Sequence, residues 1–149
     1  MILDILRGNM SMTEALLAFL LVIPSLLLSL TLHEVSHAYA AYLCGDPTAR
    51  NLGRLSLNPL KHLDPIGTAM MLLFGFGYAK PVPVMTRNFR KPRRDMVLVA
   101  LAGPLANFIL GFIGTFLFLL NAYYGGNGYF SVAAHLFLQY FTLINIGLG

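Results

Sequence analysis

Three side chains within "SLTLHEVSHAYAAYLCG" (residues 29–45) can do chemistry together: His33, Glu34 and His37. On a helix a spacing of four is ~1.1 turns, so both imidazoles share one face, ~6 Å apart along the axis. Two ring nitrogens so placed can bind one tetrahedral zinc. Glu34 is offset around the helix, where it can reach a water at the metal without ligating it. A carboxylate there takes the proton of the acidified water and later hands it to a leaving amine. His-Glu-x-x-His is a zinc metallopeptidase signature, although the bare pattern also arises by chance in unrelated proteins. Here it follows "ALLAFLLVIPSLLLSLTL". Ionisable groups are rare in apolar segments of that grade and mark functional sites.

The elements that must position these residues read as membrane spans. The 149 residues are 57% hydrophobic and 11% charged, with mean hydropathy +0.71. A soluble domain of this length has too little interior to hide that much apolar surface. The single cysteine, Cys44, excludes an intrachain disulfide. The first apolar run, residues 15–32, has too long a core for a signal peptide and no cleavage site after it. Thr13 is expected to cap a helix that continues to the Gly45-Asp46-Pro47 terminator, with Pro24 inside it. The next apolar stretch, residues 66–78, is too short to span and reads as re-entrant. Residues 96–122 form a second span, "YYGGNG" a turn, and residues 129–149 a third span. Within the polar segment between, "RLSLN" alternates like a short strand. The expected fold is an all-α polytopic membrane domain over residues 1–149. It has three transmembrane helices, a short re-entrant segment and a small strand/loop element.

Charge orients this arrangement. Six of the ten basic residues, from Lys80 to Arg94, fall in one loop between apolar runs. By the positive-inside rule that loop (residues 80–95) and the loop 45–63 lie in the cytosol, and the turn 123–128 lies outside. The N-terminus is then outside. Both basic loops share a side only if residues 66–78 enter and leave on that side. The basic loop suits anionic lipid headgroups better than nucleic acid.

"LHEVSHAYAAYLCGDPTARNLGRLSLNPLKHLDPIGT" followed by "KPVPVMTRNFRKPRRDMVLVALAGPLANF" resembles the site-2 protease family of intramembrane zinc metalloproteases, most closely the small prokaryotic members without a PDZ domain. The resemblance runs from about Leu20 onward. It implies hydrolysis of peptide bonds in transmembrane or membrane-associated proteins. It also implies zinc, held by His33 and His37, with Glu34 as catalytic acid and base. The family's third ligand is an aspartate in a Leu-Asp-Gly motif on a later span, and this sequence contains no Leu-Asp-Gly. The sequence "LINIGLG" at residues 143–149 reads as the lead-in to that motif, so truncation before it is expected. Substitution by another residue, or an inactive homologue, are the alternatives.

His135, His62 and Asp64 stand as alternative third ligands. Against this, His135 suits an interhelical hydrogen bond, and His62 and Asp64 suit turn and interface roles. Asn107 shares the estimated depth of Glu34, ~18 Å against ~15 Å from their helix ends. It lies on a small and polar stripe, Gly103, Asn107, Gly111 and Thr115, suited to close helix packing. Its amide either bonds a neighbouring helix or faces the zinc site and holds the substrate backbone or oxyanion. "RLSLN" offers an edge for pairing an extended substrate. Two other classes compete with the peptidase. One is a catalytically inactive membrane binding or scaffold protein. The other is an ion or proton conductor, which paired broken helices would support and this sequence lacks.

Overall fold

The computed structural model describes residues 11–74 and 78–149. Three long helices form its frame. α1 is Met12–Leu43. A short helix α2, Thr48–Asn51, and a 3-10 turn at Pro59–Lys61 follow, then α3, Pro65–Phe74. A second 3-10 turn at Thr86–Asn88 leads into α4, Pro92–Tyr124. α5 is Tyr129–Leu148. No β-strand occurs among the described residues; a single antiparallel bridge joins Leu63 and Ala79.

Stretches of all three long helices are apolar and long enough to cross a membrane: Phe19–Leu43, Pro92–Tyr124 and Tyr129–Leu148. Their outward faces are apolar, as at Leu20, Phe112, Phe116 and Phe130, which are all exposed. Buried positions are instead mostly small or polar, Phe89, Val99 and Phe141 being exceptions. α4 buries Val99, Gly103, Asn107, Gly111 and Gly114, one turn apart. The stripe read from the sequence thus holds as far as Gly111 and then passes to Gly114. Thr115 is exposed and bonds the Gly111 carbonyl, because a 3.6-residue period drifts off a strict spacing of four. A Cβ on Gly114 would lie 2.7 Å from Thr142 Oγ1 and 3.0 Å from Phe141, so α4 and α5 meet almost backbone to side chain. α5 joins α1 through Asn145, whose Nδ2 donates to Ser29 Oγ at 2.7 Å. Glycines and short polar groups let helices approach where apolar burial from water drives nothing.

One end of the bundle is pinned by a buried carboxylate. Gly45, at φ +107°, ends α1 in the left-handed conformation that favours glycine. Asp46, fully buried, then accepts from Met85 N (2.7 Å), Asn88 Nδ2 (2.7 Å) and Thr48 N (3.1 Å). Burial alone would raise its pKa. The bonds from Met85, Thr48 and Asn88 outweigh burial and hold it below the usual carboxylate value. Ala41, Phe89 and Val99, with Val84 against them, form the apolar cluster beside it.

The segment between α1 and α4 is where the structure departs most from expectation. Leu57 and Pro59 line a pocket with Pro24, Leu27, Leu28, Thr31 and Leu32. Those α1 residues lie ~17–28 Å along the axis from Leu43. Residues 57–59 therefore dip beside the middle of α1. "RLSLN" is no strand. It has no partner strand, and the Ser56 carbonyl is engaged by the His62 ring instead. The expectation for residues 66–78 fares better. α3 is ten residues, ~15 Å, too short to span. Its start and the chain's return meet: a Cβ on Gly67 would lie 2.1 Å from Tyr78 O, and Lys80 N donates to His62 O at 2.8 Å. The part at residues 75–77 lies outside the described residues. Thr13 falls inside α1 rather than at its cap, since the helix begins at Met12.

Candidate metal centre

α1 and α4 cross where α1 carries its histidines. His33 Nε2 and His37 Nε2 are 3.0 Å apart. Two nitrogens on one tetrahedral zinc, each at 2.0–2.1 Å, lie about 3.3 Å apart. The pair therefore fits a shared metal with an adjustment of a few tenths of an ångström. His37 is oriented from behind. Its Nδ1–H donates to the Val99 carbonyl at 2.6 Å, which fixes the tautomer and leaves the Nε2 lone pair free. One turn on, α4 presents Gly103. A Cβ there would sit 2.3 Å from His37 Nε2 and 2.6 Å from His33 Nε2. Glycine is required because the α4 backbone itself forms one wall of the site.

Glu34 is 9% exposed. It lines a cleft of about 400 Å³ with His37, Pro81, Val82, Val84, Met96, Val99 and Ala100. The Val82 backbone makes a hydrogen-bond contact to it, and His37, His62 and Arg54 lie within electrostatic reach. Pro104 has no N–H, so the Ala100 carbonyl at the cleft loses its helical donor. The cleft is thus a polar-edged slot open beside an intramembrane carboxylate.

The alternative third ligands are placed elsewhere. His135 packs against Phe118, their ring centroids 4.2 Å apart and the rings tilted. Phe118 is ~22 Å along α4 from Gly103, which abuts His33 and His37, so His135 lies far from that pair. Asp64 caps α3, its Oδ1 accepting from Ile66 N and Gly67 N, both at 2.9 Å. His62 Nε2 donates to Ser56 O at 2.8 Å. Burial first, and then the Asp95 carboxylate, push the Cys44 thiol above its ordinary pKa. Among the described residues no group of three or more His, Cys, Asp or Glu side chains could hold a metal ion. Asn107 lies one turn beyond Gly103, fully buried, with neither amide atom hydrogen-bonded.

Sequence reasoning singled out the His33, Glu34 and His37 cluster and missed what holds it. Val99, Gly103 and the "KPVPV" wall were read as span and loop. The spacing of Val99, Gly103 and Asn107 was a usable signal, since it puts all three on one helix face. That "KPVPV" returns to Glu34 carries no local signal.

The chain is thus a helical protein of membrane-span character whose α1 carries the His-Glu-x-x-His pattern, backed by a carbonyl and a glycine of α4. Residues 20–149 match Peptidase family M50. The chain belongs to that family. It is 56% identical over 101 residues to a Bacillus subtilis protein named "Putative zinc metalloprotease YwhC", a match covering 68% of this chain and 46% of the relative. It is 37% identical over 97 residues to "Putative zinc metalloprotease Rip2" of Mycolicibacterium smegmatis, covering 62% and 37%. The Rip2 of Mycobacterium tuberculosis is 36% identical over 101 residues, covering 64% and 38%. The chain thus matches less than half the length of these curated relatives. No solved structure matches it.

Proposed function

We propose that this chain carries the core of a zinc-dependent endopeptidase that cleaves transmembrane or membrane-associated proteins. The observation that supports it most is the convergence of His33 Nε2 and His37 Nε2 against Gly103, with Glu34 facing a cleft. Zinc, when bound there, supplies acidification of a water and polarisation of the scissile carbonyl. His33 and His37 would hold it, and Val99 keeps His37 in the ligating tautomer. Glu34 accepts the proton of the attacking water and then delivers it to the leaving amine nitrogen, so the carboxylate ends as it began. Gly103 walls the histidine pair, and Pro81 and Val82 line the cleft beside Glu34. Asn107 offers a donor and an acceptor in a dry setting, suited to the carbonyl oxygen or backbone of an extended substrate.

The third ligand implied by family resemblance, an aspartate in Leu-Asp-Gly, has no counterpart in this sequence. A second reading is a non-catalytic binding or scaffold homologue. Either form is a multi-pass protein of the cell membrane. Its N-terminus is outside, its 123–128 turn is outside, and its basic residues 80–95 meet anionic headgroups in the cytosol. A chelation experiment decides between the two. Cleavage of a fluorescence-quenched synthetic transmembrane peptide should stop with 1,10-phenanthroline, return with zinc, and be absent from His33→Ala. Cleavage that survives chelation, or none under any condition, would rule the peptidase out.

A further inference from the structure

Two linings of the Glu34 cleft belong to one stretch of chain. Pro81, Val82 and Val84 line it, and so do Met96, Val99 and Ala100 of α4. The residues that join the two sets, 85–95, form a brace across the end of α1. Met85 N and Asn88 Nδ2 donate to Asp46, both at 2.7 Å. Arg90 N donates to Cys44 O at 3.2 Å. Lys91 N donates to Asp95 Oδ2 at 2.8 Å, where α4 begins. A shift of this brace therefore moves both linings.

The inner flank of the brace is hydrogen-bonded, whereas its outer flank carries charge. Arg87, Arg90, Lys91, Arg93 and Arg94 are all exposed. Among the described residues only Arg94 has a carboxylate in ion-pair contact, Asp95 at 2.7 Å. The other four cations, crowded into residues 87–93, repel one another. Next to them the surface turns apolar. Met96, Val97 and Leu98 on α4 are exposed within about a turn of Arg94. On α1, Tyr39 and Tyr42 are exposed between the contact of His37 with Val99 and that of Cys44 with Arg90. Cations above tyrosines and apolar side chains match the layers of a membrane interface. A soluble polyanion would meet the cations alone.

We propose that this brace is a docking surface for anionic phospholipid headgroups, and that their binding holds the cleft beside Glu34 in shape. Headgroup phosphates offset the repulsion among Arg87, Arg90, Lys91 and Arg93, so the hydrogen bonds to Asp46 and Cys44 open less often. This rests on the reading of residues 80–95 as headgroup-facing and adds control of the cleft to it.

The full-length protein is compared in nanodiscs of phosphatidylcholine with and without phosphatidylglycerol, at matched low ionic strength. With phosphatidylglycerol, the amides of Val84, Met85 and Arg90 should exchange hydrogen about fivefold more slowly or better, the worth of one cation at an anionic surface. High salt should erase the difference. The fourfold variant Arg87→Gln, Arg90→Gln, Lys91→Gln, Arg93→Gln should show no lipid dependence. Arg93→Gln alone, whose side chain makes no hydrogen bond in the brace, should lose part of it. Equal exchange in the two wild-type discs would overturn the proposal, as would protection that survives in the fourfold variant. Protection by inorganic phosphate in phosphatidylcholine discs would overturn it too, because the ligand would then be a free anion. Native mass spectrometry of retained phosphatidylglycerol separates the two claims. Retention no greater than in the fourfold variant would sink the headgroup-facing reading itself. Greater retention with unchanged exchange would leave that reading standing and overturn control of the cleft.

Discussion

Gly103→Ala is the smallest change that tests the centre. The added methyl would sit 2.3 Å from His37 Nε2, 2.6 Å from His33 Nε2 and 2.7 Å from His37 Cε1. Ordinary contact begins at 3.4 Å, so the methyl is about 1 Å too close to both Nε2 atoms. His37 cannot simply swing away, because its Nδ1 is bonded to Val99 O, one turn from the substitution on the same helix. Either that bond breaks or α4 backs away from α1. Ligand distances in zinc sites tolerate only ~0.2 Å, so zinc affinity should fall about 100-fold or more, beyond the loss typical of supporting residues. Stability gives a second reading of opposite sign. Glycine to alanine inside a helix gains roughly 0.5–1 kcal/mol where space allows, whereas overpacking costs about 1–3 kcal/mol. Gly103→Ala should therefore lower the melting temperature or leave it flat. Gly147→Ala, with nothing within 4 Å of its added methyl, should be neutral or raise it. Zinc per chain by metal analysis, affinity by competition with a chelating dye, and thermal melting supply the three numbers. Wild-type zinc affinity together with a raised melting temperature in Gly103→Ala would refute the reasoning.

Two further outcomes follow from the geometry. Asp46 has a folded pKa below its unfolded value near 3.9, so its contribution is complete above that value and is lost as pH falls through the lower folded one. The melting temperature should be level from about pH 7 to 5 and drop below about pH 4. Asp46→Asn should flatten that drop, and Asp46→Ala should cost about 2–3 kcal/mol at neutral pH through the donors it strands. An Asp46→Asn protein with an unchanged acid profile would contradict this. Asn107→Leu should cut peptide turnover about 10²-fold with zinc content intact; joint loss of zinc and fold would mark Asn107 as a packing residue only.

Legibility in the sequence followed how local each cause is. The spans were readable because their signal, a long apolar run closed by Gly45-Asp46-Pro47 or "YYGGNG", is contained in consecutive residues. His33, Glu34 and His37 were readable because one helical turn fixes their relation. The ends were less legible: residues 96–122 became Pro92–Tyr124, since "PRRD" is polar yet helical, with proline at the first turn. Leu57 and Pro59 beside Pro24–Leu32 were not readable. A short alternating segment takes its conformation from what it packs on, and here that is α1 rather than another strand. The same applies to Val82, which reaches Glu34 only because residues 62–63 and 79–80 are tied together first.

The account's central claim is that His33 and His37 hold a zinc whose chemistry Glu34 completes. Glu34→Gln keeps the shape and both ligands and removes only the base. Measured side by side on the quenched transmembrane peptide, it should bind zinc like the wild type and cleave about 10²–10⁴-fold more slowly. Cleavage by Glu34→Gln at the wild-type rate, with zinc bound, would contradict the claim.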